Sequence, residues 1–369
     1  DPGTNGPVEG SVCVAGGING TIVTSFNTVD GLMNVTCSRP AGEVTTLAGT
    51  AGSTGEDNAN GISASFNYPV GVAVDGSGNV YVADQFNHLI RKISPTGDVT
   101  TLAGTAGSTG ANNANGTSAS FNYPTGVAVD GSGHVYVADS SNHLIRKISP
   151  SGVVTTLAGD AGNSGAVDGN GTSASFNKPF GVAVDGSGYV YVADQDNHLI
   201  RKISPAGVVT TLAGDGSFGE DNANGISASF NNPVGVAVDG SGNVYVADQS
   251  NHLIRKISPT GDVTTLAGTA GNSGEDNANG TSASFSYPSG VAVDGSGNVY
   301  VADYGNHLIR KISPSGDVTT LAGTAGNSGA VNANGISASF STPFGVAIDG
   351  SGNVYVADYS NHLIRKILG

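Results

Sequence analysis

The sequence predicts an all-β fold, a six-bladed β-propeller built from four-stranded antiparallel blades, on three observations. The heptapeptide NHLIRKI occurs six times, at intervals of 55 residues with a single interval of 54, and self-similarity at that period indicates a repeat architecture. Val, Ile, Thr and Tyr dominate short segments between Gly-rich turns, as β-strands prefer, and no window carries a helical hydrophobic period. The third observation is the phase of the repeat.

Each repeat contains four strand candidates. VTTLAG (44–49) is followed by a long Gly/Ser/Asn-rich loop and then by GVAVDG (71–76), NVYVAD (79–84) and NHLIRKIS (87–94). Tight DGSG and PTGD turns and a three-residue link connect these segments, and such short connections force neighbouring strands to run antiparallel. One repeat therefore predicts a four-stranded meander.

The phase of the repeat predicts a closed ring. The first VTTLAG (44–49) has no repeat before it, and the last NHLIRKI (361–367) has no VTTLAG after it. Residues 44–49 are therefore predicted to complete the blade formed by residues 345–367, so that the propeller spans residues 44–369. Closure removes the exposed sheet edges that would template aggregation.

Residues 1–43 lie outside the repeat and predict a small β appendage. It is too small to bury a core alone, so we expect a disulfide between Cys13 and Cys37 to staple it; two free thiols are the alternative. The segment either packs on its own propeller or pairs with another chain, which would give a homo-oligomer or a filament. Its strand candidates and turn signals are 11–18, 20–27, 32–39, Asn19-Gly20 and Asp30-Gly31.

Charge argues against a nucleic-acid partner, and the hydropathy of the sequence argues against membrane insertion. The net charge is −15, and twelve of the 14 Lys and Arg residues are the Arg-Lys pairs of NHLIRKI, leaving Arg39 and Lys178 outside. Without a basic patch to neutralise phosphates we expect no nucleic-acid partner. We also expect no membrane insertion, because no apolar run approaches the roughly 18 residues of a membrane span.

The cysteines and the sequons favour an extracellular or cell-surface location. Paired cysteines form in oxidising compartments, and the opening DPGTNGPVEG is not a signal peptide, so we expect one to have been removed from a secreted protein. Five NxT sequons are candidate glycosylation sites: Asn19, Asn34, Asn115, Asn170 and Asn279.

The segment NVYVADQFNHLIRKI (79–93) and its copies resemble the NHL-repeat family, and the resemblance covers residues 44–369. It implies a six-bladed propeller, in agreement with the phase of the repeat, and many relatives with a similar loop resemble exported bacterial proteins. The family includes a peptide amidating lyase whose zinc site uses single His, Tyr and Arg residues around the channel, and nothing here matches that set. Its RNA-binding members use a basic face that this chain lacks.

The repeated polar residues predict a scaffold role, because six identical copies cannot form one unique reactive centre. Asp, Asn and His around the three-residue link are expected to satisfy one another and the turn backbone within each blade. Arg91 and Lys92 point to opposite faces of their strand, so at least one of them is expected to be half-buried. A buried guanidinium needs a carboxylate partner, for which Asp75 and Asp84 are the candidates. The predicted scaffold residues are Asp84, His88, Asp139, His143, Asp194, His198, Asp248, His252, Asp303, His307, Asp358 and His362.

No catalytic constellation stands out, so we expect a protein that is not an enzyme and carries no cofactor. The sequence contains no Ser-His-Asp set, no paired catalytic carboxylates and no phosphate-binding loop. Calcium is the one cofactor with candidate ligands, since EDNANG segments supply carboxylates and amides; a solvated loop is the alternative. The calcium candidates are Glu56, Asp57, Glu220, Asp221, Glu275 and Asp276.

Differences between the repeats predict a binding face. Variation gathers around the proline that precedes the first strand and in the link from the second strand to the third, and both positions lie at the same end of a meander. Aromatic rings beside amides suit a binding surface, although loops also tolerate change without function. The candidate face comprises Tyr68, Phe86, Tyr123, Lys178, Phe180, Tyr287, Tyr304, Phe344 and Tyr359.

These observations predict an exported, non-enzymatic propeller that acts as a binding or assembly module. Its partner is expected to be a protein or a glycan, and self-assembly through residues 1–43 into a surface coat or filament is one form of that prediction. A lectin-like propeller that binds glycan or peptide is an alternative. A metal-dependent lyase or hydrolase at the channel mouth is the alternative from a different class.

Overall fold

The computed structural model describes residues 40–369 in full and the backbone of four short strands before them. It confirms the predicted all-β propeller: six antiparallel blades of four strands form a ring, and in blade 3 a further two-residue strand pairs with the outer edge. Only β-strands and three-residue 3-10 helices occur among the described residues. None of those helices is long or apolar enough to cross a membrane.

Four strands precede the propeller, in two antiparallel hairpins. β1 (Val12–Ala15) pairs with β2 (Ile18–Thr21), and β3 (Thr28–Val29) pairs with β4 (Leu32–Met33). The predicted turn at Asp30-Gly31 lies outside the described residues. The predicted turn at Asn19-Gly20 is wrong, because both residues lie inside β2. The side chains of Cys13 and Cys37 lie outside the described residues, so the disulfide stays a prediction, as does self-association through residues 1–43.

The propeller strands follow in chain order, and each blade runs from the channel outwards. Blades 1 to 6 begin at β6, β10, β15, β19, β23 and β27 respectively. The strands are β5 (Val44–Ala48), β6 (Pro69–Val74), β7 (Val80–Asp84), β8 (Leu89–Ile93), β9 (Val99–Ala103), β10 (Pro124–Val129), β11 (Val135–Asp139), β12 (Leu144–Ile148), β13 (Val154–Ala158), β14 (Gly169–Asn170), β15 (Pro179–Val184), β16 (Val190–Asp194), β17 (Leu199–Ile203), β18 (Val208–Ala213), β19 (Pro233–Val238), β20 (Val244–Asp248), β21 (Leu253–Ile257), β22 (Val263–Ala267), β23 (Pro288–Val293), β24 (Val299–Asp303), β25 (Leu308–Ile312), β26 (Val318–Ala322), β27 (Pro343–Ile348), β28 (Val354–Asp358) and β29 (Leu363–Ile367).

Each repeat also contains two 3-10 helices. One precedes the first strand of a blade and the other forms the link between its second and third strands. They are Gly61–Ser63, Gln85–Asn87, Gly116–Ser118, Ser140–Asn142, Gly171–Ser173, Gln195–Asn197, Gly225–Ser227, Gln249–Asn251, Gly280–Ser282, Tyr304–Asn306, Gly335–Ser337 and Tyr359–Asn361.

Ring closure occurs where the phase of the repeat predicts it. β5 pairs antiparallel with β29 as the outer strand of blade 6, with Thr46 opposite Arg365 and Ala48 opposite Ile364. The Gly42 N–H also donates to the Leu368 carbonyl at 2.7 Å. The start and the end of the propeller are therefore joined in one sheet.

The hydrophobic core lies between blades rather than within them. Strands of the VYVAD type are buried along their whole length, because both faces of each sheet are covered by a neighbouring blade. Between blades 1 and 2, for example, Tyr81 and Ile90 of one sheet pack with Phe121, Val137 and Ile148 of the next. Six such interfaces provide the apolar burial that holds the ring together.

The inner strands approach one another closely through a ring of glycines. A Cβ atom placed at any of the six would lie under 3.0 Å from a carbonyl oxygen of the next inner strand. Only glycine permits that approach. The channel is consequently narrow, with a cavity of about 70 Å³ at this level. The glycines are Gly71, Gly126, Gly181, Gly235, Gly290 and Gly345.

The outer edge of each blade is partly covered by the loop that leads into that blade. In blade 1 the Val99 N–H donates to the Ala59 carbonyl at 2.8 Å, and the Gly61 N–H donates to the Gly97 carbonyl at 2.9 Å. In blade 3 the same contact is regular enough to form β14, which pairs with β18. The loop thus occupies backbone groups that an open edge strand would expose.

Candidate functional site

The three-residue link between the second and third strands is held by the Asn of the repeated triplet. In blade 1 the link ends at His88, which has a φ of 59° in the left-handed region, where His and Asn are enriched among non-glycine residues. The Asn87 side-chain N–H₂ donates to Asp84 Oδ2 at 2.8 Å and to the Gly55 carbonyl at 2.6 Å. Asn87 therefore fastens the long loop to the end of β7.

A buried ion pair lies beneath each link. Arg91 Nη1 contacts Asp84 Oδ2 at 2.8 Å, and neither side chain is exposed to solvent. Asp84 Oδ1 also accepts the Asn67 N–H at 2.7 Å. Burial raises the pKa of Asp84 to about 6, against the opposing effects of the Arg91 charge and the hydrogen bonds. Asp84, rather than Asp75, is the partner of the arginine.

The same arginine organises the long loop. Arg91 Nη1 donates to the Ser65 carbonyl at 3.1 Å, and Nη2 donates to the Asp57 carbonyl and to Asn58 Oδ1, both at 2.9 Å. The guanidinium also lies over the Phe66 ring, with Cζ 5.2 Å from the centroid. Equivalent ion pairs occur in all six blades.

The histidines form hydrogen bonds between neighbouring blades, whereas the sequence predicts hydrogen bonds within one blade. His88 Nδ1 accepts the backbone N–H of Tyr123, in the next blade, at 3.1 Å. The bond from Tyr68 to His362 closes the ring between blades 6 and 1. All six histidines of the repeated Asn-His-Leu triplet make this contact at 3.0–3.1 Å, which requires Nδ1 to be unprotonated.

Acidification is expected to weaken this histidine ring. Burial lowers the pKa of five of the histidines from the ordinary value of 6.5. Because the unfolded chain then binds protons more readily than the folded one, the contribution of these groups to stability falls as the pH drops below 6.5. Nitrogen-15 NMR at pH 7.5 should show the Nε2–H tautomer, and titration of the five histidines with lowered pKa values should give midpoints below 6.5. Nδ1–H tautomers or higher midpoints would contradict the assignment.

The variable aromatic residues meet at one mouth of the channel. Ring centroids are 5.2 Å apart for Phe86 and Tyr123, 5.0 Å for Phe86 and Tyr68, and 4.8 Å for Tyr68 and Tyr359. The series continues from Tyr359 to Phe344 at 5.9 Å. The rings thus form a continuous line across blades 2, 1 and 6. We call this surface the aromatic mouth; it comprises the nine predicted face residues.

Two phenylalanines from opposite blades stack across the channel. Phe180 of blade 3 and Phe344 of blade 6 have centroids 5.1 Å apart and an interplanar angle of 23°. Thr125 Oγ1 and Ser289 Oγ each donate to the carbonyl of one of these phenylalanines at 2.9 Å. The chemical character of the residues at this level repeats every three blades as valine, hydroxyl residue and phenylalanine, in the order Val70, Thr125, Phe180, Val234, Ser289 and Phe344.

A cavity of about 240 Å³ lies beside this stacked pair. The predicted face contributes four of its lining residues, while two glutamines and a valine were not among the predicted site residues. Both glutamines occupy the first position of a link that varies between repeats, and that variation was the signal that could have found them. The lining residues are Phe180, Gln195, Val234, Gln249, Tyr287, Tyr304 and Phe344.

Lys178 lies at the margin of the mouth, and Tyr287 connects the cavity to the histidine of its neighbouring blade. Lys178 Nζ forms an ion pair with Asp196 Oδ2 at 2.9 Å, and both side chains are partly exposed. Tyr287 packs edge-on against His252, with centroids 4.6 Å apart. The predicted cation at the mouth is therefore neutralised by a neighbouring carboxylate.

The calcium candidates stay a prediction without support from side-chain geometry. Over residues 40–369, no group of three or more His, Cys, Asp or Glu side chains is placed to hold a metal ion. Asp57 Oδ2 instead accepts a hydrogen bond from Ser65 Oγ at 3.1 Å, and Asp221 and Asp276 accept equivalent bonds. The EDNANG segments therefore support the loop that surrounds the buried arginine.

The sequons also stay predictions. Asn115, Asn170 and Asn279 are exposed, but the Asn279 side-chain nitrogen, which would carry a glycan, donates to Asp317 Oδ1 at 3.0 Å. The side chains of Asn19 and Asn34 lie outside the described part of the chain.

Five segments of the chain match the NHL repeat family: residues 66–93, 121–148, 230–257, 285–312 and 340–367. They belong to blades 1, 2, 4, 5 and 6. In blade 3, residues 180–200 match the LVIVD repeat.

Two relatives and one solved structure show the extent of the similarity. The chain is 32% identical over 281 residues to Protein SUPPRESSOR OF QUENCHING 1, chloroplastic, of Arabidopsis thaliana, covering 72% of this chain and 26% of that protein. It is 31% identical over 341 residues to NHL repeat-containing protein 2 of Gallus gallus, covering 81% and 46%. The chain thus spans between about a quarter and a half of the length of these relatives.

The solved structure is that of an auxiliary nutrient binding protein from Bacteroides ovatus. It superposes with a TM-score of 0.67 at 17% identity, over 96% of this chain and 89% of that one. At this identity the likeness shows the fold alone.

Proposed function

The chain belongs to the NHL-repeat family of β-propellers, and from that premise we propose that it is an exported, non-enzymatic binding module whose ligand docks on the aromatic mouth. The observation that carries the proposal is the gathering of the variable aromatic residues on one face, around a cavity of about 240 Å³. Concave sites lined by aromatic side chains and a few polar groups are typical of ligand binding.

The distribution of polar groups supports a binding role for this face. In each blade the Asp, Asn, His and Arg side chains of the repeat are engaged with one another, with the loops or with the next blade. The mouth instead presents aromatic rings, of which Phe86 is 42% exposed and Tyr287 49% exposed. Exposed aromatic residues that cluster near the centre of a surface are characteristic of binding hot spots.

The solved structure from Bacteroides ovatus shares this fold and is named as a nutrient binding protein, which supports a binding role for the propeller. Use of all six repeated histidines as acceptors between blades further supports a non-enzymatic role.

The proposal is tested by screening the purified protein against immobilised glycans and random peptides. The wild type is expected to bind at least one ligand class without catalysing a chemical change in it. The double variant Tyr304→Ala/Phe344→Ala is expected to bind that class at least about tenfold more weakly, because two aromatic anchors each contribute on the order of 1–2 kcal/mol.

Ile62→Thr is the matched control for this screen. Ile62 is exposed in the 3-10 helix Gly61–Ser63, which contacts the outer strand β5. Blade 2 carries Thr117 at the same position, so the control should bind like the wild type. Equal binding by the double variant, or conversion of the retained ligand, would refute the proposal.

A further inference from the structure

We propose that the cavity beside the stacked phenylalanines seats one uncharged pyranose ring of a glycan, with its ring hydroxyls equatorial. This inference rests on the proposed function and names the ligand class for the same face. The inference rests on the chemistry of the lining residues, on two glutamine amides without hydrogen-bond partners and on the size of the cavity.

The lining combines aromatic faces with uncharged polar groups. Phe180, Phe344, Tyr287 and Tyr304 form the walls, Val234 lies at the level of the channel, and no lining residue carries a charge. A pyranose with equatorial hydroxyls exposes axial C–H groups on both faces, and these pack against aromatic rings as other apolar surfaces do. Axial hydroxyls would interrupt that contact.

The two glutamines supply the polar part of the site. Gln195 and Gln249 occupy equivalent link positions in adjacent blades and are half-buried. Within residues 40–369 neither side-chain amide has a hydrogen-bond partner, so both stay available to a ligand. Each amide offers two donors and an acceptor, which matches neighbouring hydroxyl groups that both donate and accept.

Two other ligand classes fit the cavity less well. A nucleotide or other phosphate ester needs cations, and Lys178, at the margin, is paired with Asp196 at 2.9 Å. A peptide bound by strand addition needs an open sheet edge, but the inner strands contact one another through the glycine ring. A neutral sugar requires neither feature.

The size of the cavity favours a single ring. Its volume of about 240 Å³ is below the roughly 300–1,000 Å³ of sites that enclose drug-sized ligands. Further sugars of the same chain would lie outside it, along the line of rings from Tyr359 to Tyr68, Phe86 and Tyr123.

The test uses the full chain with methyl β-D-glucopyranoside and cellotetraose as probes, and methyl β-D-galactopyranoside, which has an axial hydroxyl, for comparison. Saturation-transfer NMR and calorimetry should show binding of the glucoside, with the tetrasaccharide binding more tightly and the galactoside at least about fivefold more weakly. No binding of either glucose-type probe at about 50 mM, well above the millimolar dissociation constant that ligand efficiency allows a monosaccharide, would overturn the inference.

Variants then locate the site. Gln249→Ala and Tyr304→Ala should each weaken binding of methyl β-D-glucopyranoside, which occupies the cavity alone, by about fivefold or more, since each removes a direct contact, with circular dichroism confirming the fold. Gln85→Ala is the matched control, because Gln85 is the equivalent of Gln249 in blade 1 and does not line the cavity. Equal losses in Gln85→Ala and Gln249→Ala, or no loss in either cavity variant, would overturn the inference.

The outcomes separate this inference from the proposed function. If the wild type does not bind the sugars but binds a peptide, and Tyr304→Ala/Phe344→Ala does not bind that peptide, the sugar assignment is wrong and the binding function stands. If ligands of both classes bind equally well to that double variant, both proposals fail.

Discussion

Replacing Asp248 by alanine is expected to lower the free energy of unfolding by about 3–5 kcal/mol, because it leaves a buried arginine without its partner. Asp248 Oδ2 lies 2.9 Å from Arg255 Nη1, and neither side chain is exposed. The carboxylate also accepts the Asn231 N–H at 2.7 Å and the Asn251 side-chain N–H₂ at 2.9 Å, so the substitution removes the centre of a network. Urea denaturation followed by circular dichroism measures the effect.

Two further variants distinguish loss of the ion pair from a general effect of substitution. Lys256→Ala changes the neighbouring cation, whose Nζ lies 5.7 Å from the Tyr245 ring centroid at a half-buried position, and should cost under about 1 kcal/mol. Asp248→Ala/Arg255→Met removes both charges and should recover part of the loss. A single Asp248→Ala variant that unfolds within about 1 kcal/mol of the wild type would show that the buried pair is dispensable.

Replacing Gly235 by alanine is expected to destabilise the ring by about 2–3 kcal/mol, because an added Cβ forces neighbouring inner strands apart. The Cβ would overlap sterically with the Ser289 carbonyl oxygen and would lie only 3.1 Å from the Val291 nitrogen. Both atoms belong to the backbone of the next blade and cannot rotate away. The same denaturation measurement reports the loss.

Gly240→Ala is the matched control, in the same blade. No atom lies within 4 Å of a Cβ built at Gly240, and the residue is not among those with positive φ. This substitution should therefore change stability by less than about 0.5 kcal/mol. Similar losses for both glycines would mean that the inner strands tolerate separation and that close backbone approach does not limit the ring.

The blades themselves were predictable because each is specified by a local pattern. Alternating apolar residues, short turns and the position of the unmatched VTTLAG segment were sufficient to predict the meander and the pairing of residues 44–49 with the last sheet, as found between β5 and β29. The expectation that at least one of Arg91 and Lys92 is half-buried also followed from strand alternation. The choice of Asp84 over Asp75 did not, because it depends on which carboxylate the folded link places beside Arg91.

Contacts between blades could not be predicted as well from the sequence. The bond from the Tyr123 N–H to His88 joins consecutive repeats, and the sequence indicated only that a histidine near a tight link would find a local partner. The correct partner depends on how one blade is oriented on the next. Likewise, the variation of Gln195 and Gln249 between repeats was visible, but not that both face one cavity.

The sequence by itself determined the number of blades, their order and the way the ring closes, because strand periodicity, turn residues and repeat phase are local properties that a chain carries wherever it folds. The arrangement of the aromatic side chains at the mouth depended on the tertiary structure alone. Phe180 and Phe344 belong to repeats three blades apart and meet because closure sets those blades opposite each other across a narrow channel. Their stacking, and the cavity beside it, come from the ring geometry rather than from either repeat.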